Sequence, residues 1–573
     1  MQLLPAKLTT RLADLLAASP LRRPRFRTFY IGSSCTALGY TMQAATAAWL
    51  MATLTPSALM VALVQSASTA PFLLFGLIAG ALADIVERRR IIIAMQLTLT
   101  ITSALLGFIT LTGVVTPLSL LLLTLVCGSA FTFYLPAQQS SINELVPRAD
   151  LPRAVALGAV SFNVSRAIGP AIAGAITAWL SSGNALLVSA AFFVFMIFGA
   201  QSLKSADRSK PGAPETLFSG VQSGVRYARH STGMRSLIIL NASFSICASA
   251  VWALLPVIAR DQLGLGAGGY GFLYGVFGAG AVVSALSIPN QLQKRSLNTV
   301  VRASIVVWTA ATLLVAATRL APIAAIGAFA AGAAWVGVLA SLSAGTQSMA
   351  PAWVRARAVS INLLAAQSGL AIGSLLWGVL ASWVDVRWAV ATSAVAMLTL
   401  YAVNHRVYVE LGDEADVTPF AHLPDLTLVV EPMPEDGPVV VQVEYRVQPE
   451  HRPAFLEAIQ HVEATRRRNG ASGWHVFRDI AEEGRFVERY VVASWAEYVR
   501  LRTRMTIADR KIQERVAELQ QAGEPIRISR LIGVNPVPAH TGEPTRPGPP
   551  PEPPDLPASA SAAVTPRAPG AAP

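Results

Sequence analysis

Charge is scarce in this chain. Of its 573 residues only 14% are charged, while 53% are hydrophobic, and the mean hydropathy is +0.49. A soluble globular protein carries about 25% charged residues, so a water-exposed globule is excluded for most of the chain, which faces lipid. Cysteine is nearly absent: Cys35, Cys127 and Cys247 each lie within an apolar run, so no disulfide framework is available. There is no GxxxxGK[ST] loop, so ATP is not expected to be the direct energy source. No cofactor and no metal are expected. The N-terminal stretch MQLLPAKLTTRLADLLAASPLRRPRFR lacks an unbroken apolar core with a cleavage site and is expected to be a cytoplasmic amphipathic segment over residues 1–27. One further absence bears on function: no aspartate or glutamate sits deep inside an apolar run, since Asp84, Glu144, Asp261 and Asp385 all fall at edges or in loops.

What the chain does have is membrane-spanning length, repeated. At about 20 apolar residues per crossing, spans are expected near 28–50, 57–83, 91–113, 117–137, 154–180 and 184–203, then near 235–259, 267–290, 299–318, 321–349, 357–384 and 386–404. The first six form one half (28–203) and the last six another (235–404), with a central loop at 204–234 between them. Arginines and lysines cluster in alternate loops. Arg22, Arg23, Arg25, Arg27, Arg88, Arg89, Arg90, Arg148 and Arg153 fall on one side, joined by the basic residues of the central loop. The other side has only Arg260, Arg319 and Arg387. The excess marks the cytoplasmic side, and an even span number puts both termini there, in a plasma (inner) membrane. The net charge of +12 forms no single basic patch, so no nucleic-acid partner is expected; the expected partners are the lipid bilayer and a small-molecule substrate.

Two loops repeat at an offset of 204 residues. PRADLPRAVAL begins at Pro147 and PAWVRARAVSI at Pro351; Arg153, Ala154 and Val155 match Arg357, Ala358 and Val359, and farther on Gly169 and Gly174 match Gly373 and Gly378. Copies of equal orientation imply two halves related by an axis along the membrane normal.

The stretch GALADIVERRR, with Gly80, Asp84, Arg88, Arg89 and Arg90, closes the second apolar run. Together with twelve spans in two parallel halves, it resembles the loop pattern G-x-x-x-D-[RK]-x-G-[RK]-[RK] of the major facilitator superfamily. Ile85 and Glu87 depart from that pattern; an acid at the second position is found in a subgroup resembling the enterobactin exporter. SRAIGPAIAGA, with Gly169, Pro170 and Gly174, is similar to a G-P-x-x-G-G helix-packing motif of exporters in that superfamily, with Ala173 in place of one glycine. The resemblance implies a 6+6 all-α fold, alternating access, a proton or other coupling ion, and a gate in which Asp84 meets the start of the eleventh span, where Arg357 offers a partner. A siderophore or another small polar metabolite is the substrate that the resemblance implies.

Arg166 falls about 18 Å into its helix, near the bilayer midplane, where an ionisable side chain points to function. Asn163 lies one turn earlier, and Gln43, Gln65, Asn241, Asn362 and Gln367 are candidates to complete a polar pathway; interhelical hydrogen bonding is the alternative for the amides. A buried cation without a buried acid favours an anionic or neutral polar substrate.

After a Pro- and acid-rich linker (405–438) the periodicity changes. VVVQVEYRV, WHVFRDI, RFVERYVVASW and IRISRLIG read as strands, with helices expected over Pro449–Arg468 and Ala496–Gln521. The order β-α-β-β-α-β predicts a small cytoplasmic ferredoxin-like domain over 439–533, similar to the domains of antibiotic-biosynthesis monooxygenases. Trp474, His475 and Trp495 are candidate pocket residues, although core packing of the tryptophans and a solvated His475 is the simpler reading. Arg500, Arg502, Arg504 and Arg510 are expected on a solvated or membrane-facing helix surface. Residues 534–573 are a Pro/Ala-rich tail expected to be disordered. The main reading is a secondary exporter; the alternative is a membrane-anchored enzyme or ligand sensor acting through the terminal domain.

Overall fold

The structure, a computed structural model, describes residues 20–147, 149–203, 217–403, 411–420 and 432–534. The expected tail from 535 onward and most of the linker lie outside the described residues, as do the side chains of Asp84 and Ile85. The membrane part consists of α1 (Pro24–Leu54), α2 (Ala58–Ile85), α3 (Arg88–Leu111), α4 (Pro117–Leu145), α5 (Leu151–Trp179) and α6 (Ser182–Ala200). After α7 (Leu217–His230) come α8 (Thr232–Val257), α9 (Ala267–Lys294), α10 (Leu297–Ala317), α11 (Ala321–Met349), α12 (Arg355–Trp383) and α13 (Val386–Val403). Eleven of these helices are long and apolar enough to cross a membrane. The one expected span outside that number is α1, whose first turn holds Arg25 and Arg27 and whose middle is rich in Gly, Ser and Thr. It is nonetheless a 31-residue helix packed along α5 and α6.

Small residues set the helix spacing. Gly32 and Gly39 of α1 press on the backbone of α6 at Met196 and Ser189. The repeat-related glycines make related contacts: Gly169 packs α5 on Thr41 of α1, and Gly373 packs α12 on Ile246 of α8. Five residues on, Gly174 brings α5 against Gly271 of α9, while Gly378 brings α12 against Leu59 and Ala62 of α2. Without a hydrophobic driving force between helices in lipid, such close backbone approach supplies the packing energy. Cross-half contacts gather away from the soluble domain. On α5 they run from Ala167 to Ala178 against α9, and Trp49 of α1 stacks on Tyr270 of α9, with ring centres 5.5 Å apart. Nearer the domain-bearing end, a Cβ added at Gly80 or Gly158 would meet nothing within 4 Å.

The C-terminal α+β region is a four-stranded antiparallel sheet of order β2-β3-β1-β4. Its strands are β1 (Val439–Arg446), β2 (Ser472–Arg478), β3 (Arg485–Val492) and β4 (Arg527–Ile532). Alternate residues of β1, from Val439 to Tyr445, pack with Phe455, Ile459 and Val462 of α15 (Arg452–Asn469), which follows the short α14 (Glu414–Val417). The single helix expected over Ala496–Gln521 is two, α16 (Trp495–Thr503) and α17 (Ile507–Ala517). The break has a local cause. Thr506 and Asp509 form a capping box that starts a new helix, and the freed backbone around it pairs with the linker, Phe420 N–H donating to the Met505 carbonyl (2.8 Å) and Ile507 N–H to that of Thr418 (3.1 Å).

The central loop also differs from expectation, because it contains α7. This helix lies between α12 on the membrane side and α15 of the soluble domain. Gly224 of α7 sits over the Arg357 side chain, and the Tyr227 hydroxyl donates to the Met349 carbonyl (2.9 Å). Glu497 of α16 accepts from Arg226 of α7 (2.9 Å), Arg504 (2.7 Å) and Arg500 (3.0 Å). Arg504, expected on a solvated or membrane-facing helix surface, is instead buried and lies 4.3 Å over the Trp353 ring at the α11–α12 turn. Arg510, as expected, is on a half-open surface, paired with Glu514 (2.9 Å).

Candidate functional site

The site is built where α5 faces α8 and α11. The Arg166 guanidinium reaches from α5 to the other half, 5.2 Å from the Trp252 ring centre and 5.5 Å from that of Trp335. Helix α8 places Trp252 beside Tyr274 and Phe277 of α9, at 5.1 and 4.5 Å between ring centres. Trp252 and Trp335 are themselves 5.2 Å apart. Among the described residues no carboxylate pairs with Arg166, and the indole Nε1–H of Trp252 is buried without a hydrogen-bond partner.

Magnitudes show what this arrangement lacks. An arginine at the centre of a bilayer costs about 2.5–3.5 kcal/mol on insertion scales. Two cation–π contacts of a half-buried arginine return about 0.5–1 kcal/mol each, which offsets part of that cost. They leave the guanidinium's edge donors, five N–H groups in a planar fork, unused. The site is thus rich in donors and poor in acceptors, which is the chemistry of a receptor for an anion.

The other pathway candidates divide. Asn163, one turn from Arg166, donates to the Ala159 carbonyl of its own helix (2.9 Å). Gln65 of α2 and Gln367 of α12 are half-buried on helices that pack together, and next to them Ser66 donates across the halves to the Ala371 carbonyl (2.9 Å). Asn241 and Asn362 do not stand as free cavity groups: the Asn241 amide donates to both the side chain (2.9 Å) and the carbonyl (3.1 Å) of Asn362, joining α8 to α12. Gln43 is a clearer correction. It is 1% exposed, with both amide atoms buried and unpartnered, on the α1 face that carries Thr36 and Gly39. Those two residues face α3, through Gln96, and α6, so Gln43 lies on the face of α1 turned into the first half-bundle.

At the domain-bearing end, Arg88 pairs with Glu144 of α4 and donates to the Ser140 carbonyl (3.2 Å), while Arg90 pairs with Glu87 (2.9 Å). Glu144, passed over in the sequence as a loop acid, ties the α2–α3 turn to α4. Arg89 is half-buried. The expected Asp84 contact lies outside the described side chains. Gly169 and Gly174 occupy the helix crossings given above, and the Pro170 carbonyl lies against Gly271.

Sequence reasoning missed the aromatic wall. Trp252 and Trp335 each read as one more apolar residue in an apolar run, and only the fold sets both beside Arg166. In the soluble domain, the pocket candidates are not a pocket. Trp474 and Trp495 are core, and His475 is exposed. Glu488, with no exposed surface, accepts from Trp474 Nε1 (3.0 Å), Tyr445 (3.0 Å) and Arg466 (2.9 Å). Burial and then the Glu488 charge push the Tyr445 phenol well above its ordinary pKa, so it stays a donor. Every strong donor of this network is matched, which is the signature of a structural element.

The chain was compared with known proteins. A family model described as "Transmembrane secretion effector" matches residues 16–537. The multidrug efflux pump Tap of Mycolicibacterium fortuitum is 27% identical over 202 residues, covering 34% of this chain; the chain spans about half of that protein's length (49%). Among solved structures, a bacterial homolog of the human lysosomal transporter Spinster superposes with a TM-score of 0.55 at 14% identity, covering 68% of this chain and 96% of that one. The nucleoside transporter NupG gives 0.52 at 15%, covering 67% and 98%. These likenesses show a shared fold. With a family model spanning nearly the whole chain, the chain belongs to the transmembrane secretion effector family, of the major facilitator fold, and is a multi-pass membrane protein.

Proposed function

We propose that the protein is a secondary active exporter of a small polar or anionic metabolite, siderophore-like in kind, driven by a proton or another coupling ion. Its membrane part works as two six-helix halves in alternating access, with both termini and a ferredoxin-like C-terminal domain on the cytoplasmic side of the plasma membrane. The observation that carries the substrate reading is Arg166, held at mid-membrane by two indoles with its N–H donors unmatched. The equivalent contacts of Gly169 with Gly373, and of Gly174 with Gly378, support the 6+6 reading. The sheet order β2-β3-β1-β4 supports the ferredoxin-like one. Cross-half contacts concentrated away from the soluble domain support a conformation open toward that domain, in which Gly80 faces empty space. When that side closes, Asp84 meets the positive N-terminal end of α12 beside Arg357. The enterobactin-exporter-like subgroup fits the chain's combination of an acid at Glu87 with a soluble C-terminal domain.

The test is export rate per amount of detergent-stable protein. Arg166→Lys keeps the charge but loses the planar fork, so export weakens and stays measurable. Arg166→Gln loses anionic cargo while a neutral one is affected less. A normal rate in Arg166→Gln removes the residue from the substrate site.

A further inference from the structure

The wall that Arg166 faces has a second chemistry besides its donors. Trp252 and Trp335 present two indole faces inclined at 72° to each other, with ring centres 5.2 Å apart and Tyr274 standing beside Trp252 at 5.1 Å, and the guanidinium is what covers both indoles. If the guanidinium turns to an arriving anion, it gives up the indole faces. An aliphatic anion satisfies the fork and leaves those faces bare. A flat ring carrying the anion satisfies both at once: its charge takes the guanidinium edge and the orphan Nε1–H of Trp252, and its π face takes the place that the guanidinium held. Offset or edge-on aromatic contact at these spacings is favourable.

We infer that the transported molecule is an aromatic anion, a charged group borne on a planar ring, and that Arg166 acts as an internal stand-in for that ring when the site is empty. This inference rests on the anion-binding reading of Arg166. It assigns recognition of the ring to Trp252 and Trp335, one half of the protein reading the charge and the other reading the flat body. The arrangement also couples binding to motion. The unloaded carrier is cross-linked by Arg166 from one half to the other, and the substrate replaces that link with its own.

The experiment is isothermal titration of the purified full-length protein with three probes of matched size: 2-naphthoate, its saturated decalin carboxylate, and neutral 2-naphthalenemethanol. The inference expects 2-naphthoate to bind at least tenfold more tightly than either of the others. Trp335→Leu should remove the preference for the aromatic over the saturated carboxylate; Trp335→Phe, which keeps a ring and guards against misfolding, should retain most of it. Equal affinity for the two carboxylates, both above the alcohol, overturns the aromatic reading and leaves the anion reading standing. Equal affinity for 2-naphthoate and the alcohol overturns the anion reading itself. Failure of the wild-type protein to bind any of the three overturns both.

Discussion

Gly174 of α5 and Gly271 of α9 meet backbone to backbone: a Cβ on Gly174 would lie 2.7 Å from the Gly271 Cα and 2.8 Å from the Ala267 carbonyl oxygen. Neither neighbour is a flexible side-chain tip, so a methyl group there must push two helices apart. Gly174→Ala is expected to destabilise the protein by about 1–3 kcal/mol, outweighing the gain in helix propensity of about 1 kcal/mol. Gly158→Ala in the same helix, facing open space, keeps that gain and should be neutral or stabilising. Thermal unfolding of the two variants in detergent reads the difference, and equal melting would mean that the crossing is loose.

The latch role proposed for Asp84 predicts that Asp84→Asn loses transport at near-normal abundance. Neutralising the carboxylate removes its attraction to a helix N-terminus, an effect of about 0.3–2 kcal/mol that bears only on the closed state. Unchanged export would reduce Asp84 to a topology marker.

Glu497 holds three guanidiniums, one of them from the membrane part. Charge-assisted hydrogen bonds of this kind contribute about 1.5–3 kcal/mol each. Glu497→Ala should therefore free α7 and the soluble domain from one another, raising hydrogen exchange over 217–230 by tenfold or more. High salt should have a smaller effect in the same direction, because the pairs are partly buried.

His230 gives the same interface a pH response. Burial, then Arg467, Arg229 and Arg226, hold its pKa below the ordinary imidazole value, with Glu463 opposing. A base with a depressed pKa takes its proton more readily when undocked, so docking is favoured above the usual histidine range and weakens as pH falls through it. Exchange protection over 217–230 is expected to be lower near about pH 5.5 than near about pH 7.5, and His230→Gln should flatten the profile.

In the soluble domain, Glu488→Ala strands the buried Arg466 guanidinium. Breaking such a pair from one side costs about 3–5 kcal/mol, so β1 and β3 should lose exchange protection. Replacing the pair together, Arg466→Met with Glu488→Leu, should recover only part of the loss, because the two desolvated charges are removed at once while the Trp474 Nε1 and Tyr445 hydroxyl donors are left unmatched.

How much of this was legible in the sequence depended on the solvent each residue sees. The spans could be read because a bilayer demands long apolar runs, and the glycine pairs could be read because a repeat conserves spacing. Arg166 stood out for the same reason, as a charge where lipid penalises charge. Its partners did not, since tryptophan is at home in any apolar helix and nothing in a linear chain joins position 252 to position 335. Gln43 misled because a polar residue in an apolar run signals depth but not which face of the helix it is on. Helix α7 was missed because the faces it buries are owed to α12 and α15, both distant in sequence. The break at Thr506 did carry a signal, the Thr-x-x-Asp cap, which was lost inside a charged, helix-favouring stretch.

The docking of the soluble domain has a consequence for how the protein is made. The membrane-side residues that receive it, Arg226, Tyr227 and Trp353, are translated before its first strand begins at Val439. At about 5–20 residues per second, on the order of ten seconds separates the emergence of Trp353 from that of Arg504, which covers it. For that interval an aromatic and basic platform stands bare on the membrane surface. Its covering is the last event of assembly, so an exposed Trp353 distinguishes an unfinished copy of the protein from a finished one.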